Sequence, residues 1–177
     1  MSYCSAVRTT AIDEWNRVYH DTEYGFPLTS DAALFERLML EINQAGLSWL
    51  TILKKREGFR NAYAGFEVGK VARFGDKDRE RLMGDASIIR NRLKIEAAIH
   101  NAQIIQQLGG FAKWLEAAHP LTIEEWSKLF RKTFRFTGGE IVREFLVSTG
   151  YLPDAHDADC PVGRKILKLK PAWAQRL

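Results

Sequence analysis

Helical periodicity is the sequence feature that most constrains the fold of this chain. After Ser30, which suits a helix N-cap, apolar residues recur every three or four positions: Leu34, Phe35, Leu38, Met39, Ile42 and Ala45. This spacing places them on one face of a helix, which we expect to end at Gly46. No run alternates apolar and polar residues in the way that a half-buried strand requires. We therefore predict an all-α fold.

Apolar periodicity, capping residues and helix-ending Gly or Pro residues predict five further helices. They are Ser48–Lys55, the stripe Ile95–Ile105, Phe111–Ala118, a helix opened by the capping box Thr122–Glu125, and Glu140–Ser148. On the first of these we expect Trp49, Leu50 and Leu53 to be buried. The segment Arg164–Leu177 is rich in Lys and Arg and is predicted to be a loosely held basic tail.

Composition is that of a folded domain. The 177 residues are 46% hydrophobic and 11% aromatic, which is enough to build a core, and we expect residues 1–177 to form a single domain. The net charge of +4 permits an anionic partner without establishing one. Met1–Glu14 has no signal-peptide pattern, and no apolar run approaches the roughly 20 residues of a membrane helix. We expect a cytoplasmic monomer with no membrane partner.

Glu41 is notable because it is an acidic residue on an apolar stripe. Leu34, Leu38, Glu41 and Ala45 are separated by four, three and four positions, so the carboxylate lies on or beside the core-facing side. A charge there is costly unless it is paired or serves a site. Two interpretations remain open. Glu41 is either a salt-bridged residue at the edge of the stripe or a carboxylate that accepts hydrogen bonds from a ligand.

Four residues near the two ends of the chain have the chemistry of zinc ligands: Cys4, His20, His156 and Cys160. His156 and Cys160 are four positions apart and would face one metal if that turn is helical. Taken alone, this pair is a weak signal, and a histidine and a thiol that bind nothing are the more common explanation.

Three segments resemble the 3-methyladenine DNA glycosylase I family. They are Tyr19–Gly25 (YHDTEYG), Leu40–Trp49 (LEINQAGLSW) with Lys54–Glu57 after it, and Asp85–Arg92 (DASIIRNR). The similarity extends from Cys4 to Cys160. It implies a monofunctional DNA repair enzyme that flips 3-methyladenine out of double-stranded alkylated DNA, hydrolyses its N-glycosidic bond and releases the free base.

The resemblance also implies roles for individual residues. Glu41, Tyr19 and Trp49 would bind the extruded base, and Glu41 would also be the catalytic residue. Its carboxylate would accept hydrogen bonds from the amino edge of adenine, where guanine presents an acceptor instead. Gly46 and Leu47 would lie at the DNA surface, with Leu47 filling the gap that the base leaves.

A compact helical bundle with a helix-hairpin-helix element is implied as well. Its hairpin would bind DNA phosphates through residues Thr137, Gly138 and Gly139, because glycines allow close approach and a helix N-terminus offers free amides. The basic residues Arg90, Arg92 and Lys94 are candidates for further phosphate contacts.

One structural zinc ion per chain is implied by the same resemblance, bound by Cys4, His20, His156 and Cys160. It would tether segments 1–20 and 151–163 to the helical core. Two thiolates and two imidazoles complete a tetrahedron, so no position would remain for an activated water.

Departures from the family pattern keep alternatives open. Ala6 and Asn16 stand where family members carry aromatic residues, and Tyr24 replaces a common Trp. The chain is then either a glycosylase with altered selectivity for alkylated bases or a non-catalytic helix-hairpin-helix DNA-binding protein. A zinc-dependent hydrolase acting on another substrate is a third alternative.

Overall fold

In a computed structural model of the chain, residues 2–9 and 12–175 are described, and they contain helices but no strand. The prediction of an all-α fold is confirmed. The helices are α1 Tyr3–Val7, α2 Glu14–Thr22, α3 Asp31–Gln44, α4 Trp49–Ala62, α5 Val68–Val71, α6 Asp76–Gly84, α7 Arg92–Gln107, α8 Phe111–Ala118, α9 Ile123–Thr133, α10 Gly139–Ser148 and α11 Pro161–Lys168. Ala64–Phe66 and Ala172–Ala174 form 3₁₀ turns. Within the described residues, no helix combines the length and apolar character needed to cross a membrane.

The chain divides into two compact units. The terminal unit consists of residues 1–28 and 143–177, and the central unit consists of residues 29–142. The expectation of a single domain over the whole chain stays a prediction.

Helix α3 is the buried helix of the central unit, and it has the limits that the sequence predicts. The Ser30 hydroxyl accepts a hydrogen bond from the Ala33 amide (3.2 Å), which caps the first turn. All ten residues from 34 to 43 are buried. At the other end, Gly46 has a φ of +84°, a conformation that glycine adopts without the steric cost of a side chain. Helices α4, α7 and α8 pack on α3.

Helix α4 is longer than we predict from sequence, continuing past Lys55 to Ala62. Gly58 resembles a stop signal, but it permits close packing instead. A Cβ atom there would lie 2.6 Å from the Ser87 carbonyl oxygen. The buried side chains of α4 include Leu53 and Phe59, whereas Trp49 and Leu50 are only half-buried, contrary to our expectation.

Helices α8 and α9 carry an aromatic cluster that is part of the core of the central unit. Phe111, Trp114 and Phe130 have ring centroids 5.3 to 6.4 Å apart, and Trp126 packs beside them. The Thr122–Glu125 capping box is confirmed, since each side chain accepts a hydrogen bond from the other residue's amide. This box fixes where α9 begins.

In the terminal unit, the prediction of a loosely held tail over Arg164–Leu177 is wrong for the first part of that segment. Pro161–Lys168 forms α11, with Val162 and Ile166 buried four positions apart on one face. Pro161 at the first helical position and this i, i+4 apolar pair account for the helix. Arg176, also assigned to the basic tail, lies outside the described residues.

Candidate functional site

The four predicted metal ligands come together in the terminal unit. Cys4 on α1, His20 on α2, and His156 and Cys160 before α11 place one ligand atom each within 4.8 Å of the other three. The segment from His156 to Cys160 is a turn closed by a Cys160 amide to Asp157 carbonyl bond (2.9 Å), not the helix that we considered.

The spacing of the ligand atoms fits a tetrahedral metal. The Cys4 Sγ atom lies 3.2 Å from His20 Nε2 and 3.5 Å from His156 Nδ1, and the corresponding distances from Cys160 Sγ are 4.0 and 3.6 Å. Zinc–sulfur bonds of about 2.3 Å and zinc–nitrogen bonds of about 2.0 Å give sulfur–nitrogen edges of roughly 3.5 Å in a tetrahedron. The residues therefore fit a metal ion of this kind.

Both imidazole rings are held by their second nitrogen. His20 Nδ1 lies 2.7 Å from an Asp21 carboxylate oxygen, and His156 Nε2 lies 2.7 Å from the Tyr24 carbonyl oxygen. Such partners fix the tautomer and the ring orientation of metal-binding histidines. The Asp157 amide also donates a hydrogen bond to the Cys4 sulfur (3.3 Å), which suits a thiolate. These hydrogen bonds to neighbouring residues thus fix the orientation of the metal-ligand side chains.

The protonation of two ligands is set by burial. Burial raises the pKa of the Cys4 thiol to about 11, so that without metal the thiol keeps its proton at neutral pH. Burial also lowers the pKa of His156, which keeps this imidazole in the neutral form that binds metals. Binding of a metal ion at this site therefore requires loss of a thiol proton from Cys4 but no loss of a proton from His156.

Glu41 and Trp49 lie in the central unit on consecutive helices. Glu41 is on α3 with only 5% of its surface exposed, so the position inferred from the stripe is confirmed. Arg37, four residues earlier on the same side of α3, is buried as well. Trp49 is the first residue of α4 and is half-buried. The carboxylate is thus held away from bulk solvent.

Between these two helices, Gly46 and Leu47 form an exposed turn. The Leu47 side chain is 41% exposed, although it is apolar. The turn is closed by the Leu47 amide, which donates to the Gln44 carbonyl oxygen (2.6 Å). No atom within 4 Å would meet a Cβ at Gly46, so its positive φ, rather than crowding, favours glycine there.

The segment between α9 and α10 forms a second exposed turn. Gly138 and Gly139 are exposed, whereas Thr137 is buried and its hydroxyl donates to the Phe134 carbonyl oxygen (3.2 Å). Phe136 has a φ of +60° and a half-exposed ring. Helix α10 begins directly after this turn, so its first amides lie next to exposed glycines.

Tyr19 belongs to the terminal unit, where it is buried on α2. Its ring lies 5.8 Å from Tyr24 and 6.5 Å from Tyr3, measured between centroids. Asn16 is engaged at the start of the same helix, because its amide nitrogens donate to Asp13 and its oxygens accept from the Tyr3 hydroxyl. This position is therefore a local polar cluster, not the aromatic wall of the family pattern.

Comparison with known proteins assigns the chain to a family. The profile of the methyladenine glycosylase family matches residues 9–126, which is about two thirds of the chain. This chain is a methyladenine glycosylase family member. The DNA-3-methyladenine glycosylase 1 of Escherichia coli K12 is 51% identical over 90 residues, which are 51% of this chain and 48% of that protein. The chain spans about half the length of the curated relatives it matches.

Solved structures of methyladenine glycosylases share this fold. A 3-methyladenine DNA glycosylase I from Staphylococcus aureus superposes with a TM-score of 0.75 and 36% sequence identity, covering 85% of this chain and 92% of that one. A crystal structure of a 3-methyladenine DNA glycosylase I in complex with 3-methyladenine gives the same TM-score and identity, with 85% and 93% coverage.

Lys94, a candidate for a phosphate contact, has a different role in the structure. Lys94 is buried, and its Nζ donates to the carbonyl oxygens of Asn43 (3.0 Å) and Ala45 (3.1 Å) at the end of α3. Arg90 and Arg92, by contrast, are exposed. The sequence did not predict this helix cap or the contact between Asp21 and His20. The sequence does not show which acceptor a long basic side chain will reach, or which donor an acidic side chain will bind.

Proposed function

We propose that this protein is a monofunctional DNA glycosylase that removes 3-methyladenine from double-stranded DNA. The observation that carries the proposal is the buried Glu41 carboxylate within the region that matches the methyladenine glycosylase family. Glu41 binds the amino edge of the flipped adenine and acts as the catalytic residue, and Trp49 stacks on the base. Base–aromatic stacking contributes about 1–3 kcal/mol per base.

The chemistry needs little acid catalysis. Methylation at N3 gives the adenine a positive charge, so the bond between N9 and the sugar C1′ breaks with its electron pair moving to the base. The base leaves as neutral 3-methyladenine, and water adds to C1′ and loses a proton to solvent. The positive charge passes from the base to the sugar at C1′ as the bond breaks, and the negative Glu41 carboxylate stabilises that developing charge. A pair of opposed carboxylates, as in ordinary glycosidases, is not required.

DNA is bound through the two exposed turns of the central unit. Leu47 fills the gap left by the flipped base, with Gly46 allowing close approach of the backbone. The segment Thr137–Gly139 and the first amides of α10 bind a phosphate, as in a helix-hairpin-helix element. The exposure of Gly46 in the first turn and of Gly138 and Gly139 in the second supports these roles.

A Leu47→Ala variant tests the first of these turns. We expect it to bind a duplex containing an abasic-site analogue about tenfold or more weakly, because burying a leucine side chain contributes about 1.5–3 kcal/mol. Fluorescence anisotropy with labelled duplex measures this affinity. Met83→Ala, which truncates a similarly exposed apolar residue on α6, is the control and should bind as wild type. Equal affinities for both variants would show that Leu47 does not enter the DNA.

The metal that we propose at the cysteine–histidine cluster is one structural zinc ion per chain. All four tetrahedral positions are filled by protein atoms, so the ion supplies folding stability and no activated water. It holds α1, α2 and the turn before α11 together, and both thiols are buried.

Zinc affinity is expected to rise with pH by at least about tenfold per pH unit between pH 6.5 and 8.5. Because the Cys4 pKa is raised to about 11, the metal-free thiol carries a proton that zinc binding must release throughout this range. His156, with its lowered pKa, is already neutral above pH 6.5 and adds no proton. Competition with a chromophoric chelator at several pH values measures the slope, and a flat profile would contradict thiolate ligation.

Release of free base tests the proposed function itself. Purified protein is incubated with methylated duplex DNA, and the bases released are separated and quantified. We expect 3-methyladenine. Its absence, with duplex binding intact, would favour the non-catalytic DNA-binding protein, a candidate that Ala6 and Asn16 motivate. Release of other methylated bases in preference would favour altered selectivity.

We further propose that the protein acts as a monomer in the cytoplasm.

A further inference from the structure

Helix α7 carries two buried polar side chains that reach the backbone of other segments. Lys94 is 6% exposed and Asn101 is fully buried, although both types usually lie at protein surfaces. Burying such groups is costly without hydrogen bonds. Each of them bonds to backbone next to one of the two exposed turns, Gly46–Leu47 and Thr137–Gly139.

Lys94 fixes the first turn. Its ammonium group bonds to two carbonyl oxygens, those of Asn43 and Ala45, where α3 ends and acceptors lack partners within the helix. A cation at this end also complements the partial negative charge of the helix C-terminus. Gly46 follows directly with its positive φ, so the position of Lys94 determines where Gly46 and Leu47 leave the helix.

Asn101 fixes the second turn. Its side-chain amide donates to the Arg135 carbonyl oxygen (3.1 Å) and its oxygen accepts from the Arg135 amide (2.8 Å). Both polar groups of one residue's backbone are therefore held by one side chain. The next residue, Phe136, has a positive φ that is costly for a non-glycine residue and persists only where neighbours hold it. Thr137 and Gly138 follow it.

The spacing of the two residues links the turns. Seven positions correspond to nearly two full helical turns, so Lys94 and Asn101 lie on almost the same face of α7, about 10 Å apart along its axis. A helix is stiff over this length, and duplex DNA does not adjust easily to a misplaced contact. A displacement of about 1 Å in a positioned group can cost about 100-fold in rate.

We propose that α7 is a spacer that sets the distance between the two DNA-binding turns, with Lys94 and Asn101 as its positioning residues. The inference rests on the proposed function of the two turns. It assigns to α7 a role in duplex recognition even though neither positioning side chain contacts DNA. The exposed Arg90 and Arg92 at the start of α7 are not needed for it.

Two substitutions test the spacer, Lys94→Met and Asn101→Leu, which keep approximate size and remove the bonds to backbone. Gln103→Ala is the matched control, since Gln103 on the same helix donates to the Ala72 carbonyl oxygen (3.1 Å), outside both turns. The first readout is anisotropy with a fluorescein-labelled duplex containing a tetrahydrofuran abasic site. The second is the KM and kcat for release of 3-methyladenine from methylated duplex.

We expect Lys94→Met and Asn101→Leu each to weaken duplex binding and raise KM by about tenfold or more. Gln103→Ala should change both by less than twofold. Binding of free 3-methyladenine by Asn101→Leu should stay within twofold of wild type, which a general loss of structure would not allow. Wild-type duplex affinity in both test variants would overturn the proposal, as would an equal loss in Gln103→Ala.

Conservative variants keep the test decisive if a replacement prevents folding. Lys94→Arg retains donors for the α3 carbonyls, and Asn101→Asp retains the acceptor for the Arg135 amide but not the donor. Lys94→Arg and Asn101→Asp should weaken duplex binding less than Lys94→Met and Asn101→Leu do. Weaker duplex binding by the conservative variants than by the first pair would contradict the spacer proposal. The anisotropy readout needs no catalysis, so a wild type that binds duplex but releases no base refutes the glycosylase proposal alone.

Discussion

Replacing Cys160 by serine is expected to remove the zinc ion and to lower Tm by about 10 °C or more. Structural zinc contributes on the order of 10 kcal/mol to small metal-dependent folds. Even a third of that, at about 2–4 °C for each kcal/mol in a protein of this size, gives such a shift. The loss should be largest in the terminal unit, whose core includes both thiols. Zinc content by mass spectrometry and calorimetric unfolding measure the two effects.

Asp159→Asn is the matched control for that substitution. Asp159 precedes Cys160 and forms an ion pair with Arg8 (3.0 Å) at the surface, where solvent screens the charges and the pair contributes little to stability. Its replacement should leave zinc content unchanged and Tm within a few degrees of wild type. One zinc ion per chain retained in Cys160→Ser would contradict the assignment of this ligand.

A Glu41→Gln variant is expected to excise 3-methyladenine at least about tenfold, and up to about 100-fold, more slowly than wild type. Glutamine has nearly the same shape, but it has no negative charge and one acceptor fewer for the cationic base. Hydrogen bonds to charged groups contribute about 1.5–3 kcal/mol. Because packing around α3 is preserved, Tm should change by only a few degrees. Excision rates at saturating DNA and calorimetric Tm test both statements.

Glu36→Gln separates recognition from stability. Glu36 is another buried carboxylate on α3, and it accepts hydrogen bonds from the guanidinium groups of Arg56 and Arg60. Breaking this network should lower Tm and leave excision at 25 °C near the wild-type rate. If Glu41→Gln instead behaves like Glu36→Gln, Glu41 is the salt-bridged residue of the alternative interpretation.

Local signals made much of the fold predictable. Ser30 and Gly46 bound α3 correctly because capping side chains and positive φ angles are properties of single residues. The continuation of α4 past Lys55 was not predicted, because the close packing that Gly58 permits is against Ser87, a residue distant in sequence. Helix α11 was not predicted because only two apolar residues form its buried face and basic residues surround them.

The candidate site was predictable where the resemblance names residue types. It supplied the four metal ligands, which spacing alone did not establish, and the structure brings them together. The backbone partners were not predictable, since the Tyr24 carbonyl that orients His156 carries no side-chain signature. The role of Lys94 was not predictable, because a basic residue at a helix start is normally solvated and only the fold places the end of α3 within its reach.

Calorimetric titration of free 3-methyladenine into wild-type protein and Glu41→Gln most directly tests the central claim, which is that the buried Glu41 carboxylate binds the alkylated base. We predict one binding site per wild-type chain and at least about tenfold weaker binding by the variant. Wild-type protein that binds duplex DNA but no 3-methyladenine, or a variant that binds the base as tightly as wild type, would contradict it.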